Sequence, residues 1–122
     1  GEEPGGTVGY AVRLENRSSS RTRLLFCTTG VLLQRIKEDP LLDGVSHLFV
    51  DEAHERTVQT DFLLTLVRDM LLPRRPDLKL VLMSATLEQG LFTKYFSEAH
   101  KKPPVVHIEG RTFPVQVRFE AE

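Results

Sequence analysis

Leu48-Phe49-Val50-Asp51-Glu52-Ala53-His54-Glu55-Arg56 is the stretch on which the reading turns. Val45 to Val50, apolar at its end and running directly into two adjacent carboxylates, has the form of a buried strand with a polar tip. The pattern recurs on both sides. Leu24 to Thr28 is a continuous apolar run followed by Thr29-Gly30, and Leu78 to Met83 is a third buried-strand candidate, followed by Ser84-Ala85-Thr86. Helical spacing fills the gaps. Val31, Leu32, Gln34 and Ile36 predict a helix that Asp39-Pro40 ends. Leu63, Leu66, Val67, Met70 and Leu71 share one face of a second helix, Thr60 to Leu72, which Pro73 is expected to terminate.

Further out, Val8, Tyr10, Val12 and Leu14 alternate with period two and predict a strand. A short helix (Leu87 to Phe96), a strand (Val105 to Ile108) and an alternating run (Phe113, Val115, Val117, Phe119) close the chain. Residues 1–7 are glycine- and proline-rich at their start (GEEPGG) and read as a mobile leader or severed loop, with one domain over 8–122. Strands alternating with helices predict an α/β fold with a mostly parallel sheet covered by helices on both faces. Ligands of such sheets sit beyond the carboxyl ends of the strands, where Thr28-Thr29-Gly30, Asp51-Glu52 and Ser84-Ala85-Thr86 all fall.

The 122 residues suffice for one domain, and sixteen basic against seventeen acidic side chains give a net charge of −1, so any contact with nucleic acid must be local. No apolar run reaches the roughly 20 residues that span a bilayer, and no signal-peptide pattern opens the chain. The expectation is an intracellular protein, cytoplasmic or nuclear, neither secreted nor membrane-bound. The single Cys27 excludes an internal disulfide and reads as a small buried hydrophobe. Gly1 in place of a starting methionine, and an end just after a strand-like run, suggest a piece of something longer.

Two neighbouring carboxylates at a strand tip suit a hydrated Mg²⁺ ion beside nucleotide phosphates, because that ion prefers hard oxygen ligands and keeps several waters. Asp51 would hold the ion, and Glu52 would orient or deprotonate the attacking water. The competing interpretation is that the pair merely caps the next helix. Thr86 has a similar alternative, a capping box with Gln89 three residues on. His54-Glu55 lacks the second histidine of a HExxH zinc site, His47, His100 and His107 read as strand-end or surface residues, and no structural metal is expected.

Asp51-Glu52-Ala53-His54-Glu55-Arg56 resembles the signature of DEAH-box RNA helicases, with Leu48 to Glu52 as the Walker B element. Thr28-Thr29-Gly30-Val31-Leu32-Leu33 resembles motif Ib, Gly9 to Glu15 the segment before it, Ser84-Ala85-Thr86 motif III, and Gly110-Arg111-Thr112-Phe113-Pro114-Val115 the run toward the second lobe. The resemblance covers roughly residues 8 to 120, with order and spacing kept. Thr28-Thr29-Gly30, where splicing members usually carry Thr-Asp-Gly, looks closer to the non-splicing branch. It implies a partial RecA-like, P-loop NTPase-type first lobe that uses ATP and Mg²⁺, with RNA and the second RecA-like lobe as partners. It further implies that Asp51 and Glu52 hold the metal and nucleotide, that His54 relays nucleotide state, and that Ser84, Ala85 and Thr86 couple hydrolysis to strand movement. Thr28, Thr29 and Gly30 would seat an RNA phosphate, near Arg13, Arg17, Arg21 and Arg23.

No GxxxxGK[ST] loop occurs in the sequence, and the arginine motifs of a second lobe are absent as well. The family's fold would put the strand before that loop between Leu78–Met83 and Val105–Ile108, so the sheet is expected to have unpaired edges and the isolated chain to be inactive. The alternative is a non-catalytic module that binds RNA or a protein partner.

Overall fold

The computed structural model describes residues 1–85 and 89–116. β1 (Val8–Val12) turns through Arg13-Leu14 into the short antiparallel β2 (Glu15–Arg17), and β3 (Leu24–Cys27) pairs parallel to β1 on its other side. Gly9 is required there: a Cβ would stand 2.5 Å from the Arg17 carbonyl oxygen. α1 (Thr29–Glu38) leaves the end of β3, capped by Thr28, whose hydroxyl accepts the Val31 N–H at 3.4 Å. It ends at Asp39, as the Asp39-Pro40 break predicts.

The second sheet is the parallel pair β4 (His47–Val50) and β5 (Lys79–Leu82), in register Leu48 to Leu80 and Val50 to Leu82. Those four residues share one face, and α1, α2 (Val58–Leu66) and α4 (Gln89–Ser97) pack on it through Ile36, Leu63, Leu64 and Phe96. Leu42, Leu63, Val67 and Leu71 are almost wholly buried, and each contributes on the order of 1.5–3 kcal/mol of apolar burial. The 42–45 turn is fastened to this core by Arg75, whose guanidinium donates to the carbonyls of Leu41, Leu42 and Val45 while gripping Asp77.

α/β content and parallel pairing agree with the sequence reading; several particulars do not. The strands form two separate sheets, and β3, β4 and β5 each pair on one edge among the described residues. Helices cover one face of β4–β5 where both were expected, leaving Phe49, Val81 and Met83 between 37% and 54% exposed on the other. β3 was expected to be buried on both faces, yet Leu24 and Phe26 are 47% and 62% exposed, and β1 is its strand partner among the described residues. Cys27 is exposed as well, although partial burial of its thiol still pushes its pKa up. Pro73 does not stop the second helix. A π turn (Val67–Leu71) passes the chain into α3 (Leu72–Arg74), and Pro73 falls in the first turn of α3, where no N–H is needed. Val105 to Ile108 is not a strand; the segment is exposed and no described residue pairs with it. Phe113 and Val115 are likewise exposed and outside any strand, and Val117 and Phe119 lie outside the described residues.

Candidate functional site

β4 and β5 end side by side. The Met83 N–H donates to the Val50 carbonyl at 2.9 Å, and the Ala53 N–H donates back to Met83 at 3.1 Å, extending the parallel pairing past both strands. Asp51-Glu52 and Ser84-Ala85 are thereby brought to the same end of the sheet.

Glu52 adopts φ 53°, ψ 34°, a left-handed conformation that costs a non-glycine residue of order 1–3 kcal/mol. A 3₁₀ turn (Ala53–Glu55) follows, closed by Arg56 at φ 50°. Asp51 Oδ1 accepts the Glu52 N–H at 2.8 Å, and Glu52 makes no side-chain cap of the turn it opens. Its carboxylate lies instead 3.2 Å from His54 Nε2. The interpretation of Glu52 as a helix cap fails on that geometry.

His54 stands at the centre of the group. Its Nδ1 accepts the Ala85 N–H at 3.3 Å, so that nitrogen carries no hydrogen and Nε2 carries the one that faces Glu52. One imidazole thus joins the tip of β4 to the tip of β5. Thr86 lies outside the described residues, so neither its coupling role nor its capping box is described by the structure. Ser84 is exposed at the same tip and is engaged there.

The donor chemistry at Asp51 fits Mg²⁺: the side chain is exposed, oxygen-only, and commits just Oδ1 to the neighbouring amide. Glu52 is 55% exposed and shares its carboxylate with His54, a partner better suited to orienting a base than to filling a magnesium shell. Glu55 entered the sequence reading only as a letter of the signature. In the turn that Glu52 opens with its positive φ, Glu52, His54 and Glu55 present ligand atoms within 4.8 Å of one another. Arg56 holds Asp61 through two hydrogen bonds of 2.8 and 2.9 Å, which keep the Asp61 carboxyl below its usual range. No spacing rule in the sequence announces either contact.

The third polar tip lies on the other sheet. Thr28 spends its hydroxyl on the cap, and Gly30 approaches the Gln59 side chain of α2, where a Cβ would sit at 3.5 Å. The start of α1 thus lies beside the helix that follows the acidic turn. Of the nearby cations, Arg17 pairs with Glu15 and Arg21 with Glu2, while Arg13 and Arg23 are exposed. His47 bonds Ser46 and stacks on Phe49, and His100 Nε2 meets the Arg68 carbonyl at 2.8 Å, both structural roles. A cleft of about 170 Å³ between α2 and α4, lined by Leu64, Phe92 and Tyr95, contains none of the strand-tip carboxylates.

No family model matches the chain. Individual relatives do. The chain is 58% identical over 119 residues to the DExH-box ATP-dependent RNA helicase DExH1 of Arabidopsis thaliana, which covers 98% of the chain and 12% of that protein. The chain belongs to the DExH/DEAH-box RNA helicase family. It is 51% identical over 117 residues to the ATP-dependent RNA helicase dhx29 of Xenopus laevis, covering 93% of the chain and 8% of that protein. To the ATP-dependent DNA/RNA helicase DHX36 of Bos taurus it is 49% identical over 112 residues, 91% of the chain and 11% of that protein. The chain therefore spans about a tenth of the length of these helicases. No helix among the described residues is long and apolar enough to cross a membrane.

Proposed function

We propose that this helicase segment is the Walker B and motif III portion of a RecA-like first lobe, in a protein that couples Mg·ATP hydrolysis to movement along RNA. The observation that carries the proposal is the His54 bridge, which joins the acidic tip of β4 to the backbone of Ala85 on β5.

In this proposal a bound Mg·ATP supplies the polarised phosphate and its leaving group. The chain's own residues do the rest. Asp51, whose Oδ1 accepts only the Glu52 N–H, would hold the ion. Glu52 orients and accepts the proton of the attacking water, a contribution of roughly 10²- to 10⁴-fold. His54 donates through Nε2 to hold Glu52 and accepts through Nδ1 from Ala85, so a shift of Glu52 is felt at the β5 tip. Ser84, Ala85 and Thr86 would pass that shift on, and the Thr28-Thr29-Gly30 start of α1 would meet an RNA phosphate.

With no lysine-bearing phosphate loop in its sequence, the chain by itself is expected to hydrolyse no ATP. The test has two arms: ATP turnover by the 122-residue chain, and RNA-stimulated turnover by the full-length protein. Activity in the second alone supports the proposal. Turnover by the chain alone, or none by the full-length protein, contradicts it.

A further inference from the structure

Glu52, His54 and Glu55 form a group of potential ligands that the hydrolysis scheme does not absorb. Two carboxylates and an imidazole are a poor set for Mg²⁺, which favours oxygen alone, and a good one for Zn²⁺ and similar ions. Spacing points the same way. Zinc bonds of roughly 2.0–2.2 Å put neighbouring ligands of a tetrahedral ion about 3.4 Å apart. His54 Nε2 and Glu52 Oε2 already stand 3.2 Å apart. Glu55 is exposed, and its carboxylate offers a ligand atom within 4.8 Å of the other two. Water would complete the shell.

We infer that Glu52, His54 and Glu55 constitute an inhibitory site for a zinc-like divalent cation, distinct in ligand set from the magnesium position at Asp51. The site as such needs only the three side chains; its inhibitory effect rests on the proposed hydrolytic role of Glu52. Metal can bind Nε2 only after the hydrogen there leaves to solvent, and the neutral ring then takes its one hydrogen from solvent on Nδ1, where the Ala85 N–H also points. Two donors then face each other, and the link between the strand tips opens. The same ion occupies the carboxylate that would orient water. Zinc binding and hydrolysis thus exclude one another at this site.

The test uses the full-length protein and Zn²⁺ alone, measured by equilibrium dialysis without nucleotide, with Co²⁺ as a coloured substitute. Wild type is expected to bind zinc at least about tenfold more tightly at this position than Glu55→Gln, and to show a tetrahedral cobalt spectrum that the variant lacks. Glu55→Gln should keep basal turnover and need correspondingly more zinc for inhibition of Mg²⁺-dependent hydrolysis. Glu55→Asp, which keeps the charge but shortens the reach, provides a second variant should Glu55→Gln fail to fold. Equal zinc affinity and equal cobalt spectra in wild type and the soluble variant overturn the inference, whatever the turnover. The hydrolytic role of Glu52 fails separately, if Glu52→Gln still turns over ATP.

Discussion

The Nδ1 of His54 accepts the backbone N–H of Ala85 at 3.3 Å, thirty-one residues away in sequence, and so fixes the end of one parallel strand to the end of its neighbour. Replacing His54 with Ala removes the acceptor of that amide and frees Glu52 from its partner. In the full-length protein, His54→Ala should reduce RNA unwinding per ATP hydrolysed by about tenfold, the worth of one such hydrogen bond. Parallel turnover and unwinding assays check it. An unchanged ratio would deny His54 a coupling role.

The core beneath the site is expected to be intolerant of cavities. Leu71 is wholly buried where the π turn meets α3, and Leu71→Ala should cost about 2–5 kcal/mol. Phe62, 56% exposed on α2, provides the contrast: Phe62→Ala should stay within about 0.5 kcal/mol. Denaturant unfolding of the domain that carries this chain measures both.

Gly9 is a steric prediction. A methyl group there would meet the Arg17 carbonyl oxygen at 2.5 Å, and backbone cannot swing aside as a side chain can. Gly9→Ala should destabilise the β1–β2 hairpin by roughly 1–3 kcal/mol, read as faster local hydrogen exchange at Tyr10 to Arg17.

Arg56 lowers the Asp61 carboxyl pKa, so folding favours the ionised form. That contribution is complete above the unfolded carboxyl's pKa and is lost as pH falls through the lower folded one. Both groups are well exposed, so the effect is small. Melting temperatures of wild type and Asp61→Asn should differ slightly near neutral pH and converge in acid. A gap that persists at low pH would show that Asp61 acts through something other than its charge.

What was legible in the sequence follows from local physics. The apolar runs at Leu48–Val50 and Leu80–Leu82 fall where β4 and β5 lie, and the Leu63, Val67, Leu71 stripe is the buried face of the helix between them. The capping of α1 by the Thr28 hydroxyl belongs to the structure, since the sequence reading gave that residue to an RNA phosphate instead. The positive φ of Glu52 and Arg56 was not legible, because neither residue type favours it and the surrounding fold imposes it. Nor was the π turn, which lets Pro73 sit inside a helix. Val105–Ile108 misled for a plainer reason: three apolar residues around His107 make a strand only when another strand is there to pair with them.

The central claim is that the carboxylate held by His54 activates water for phosphoryl transfer, and Glu52→Gln in the full-length protein tests it most directly. Steady-state RNA-stimulated ATP hydrolysis should fall by roughly 10²- to 10⁴-fold with nucleotide affinity little changed. A fall of less than about tenfold, below that range, would contradict the account.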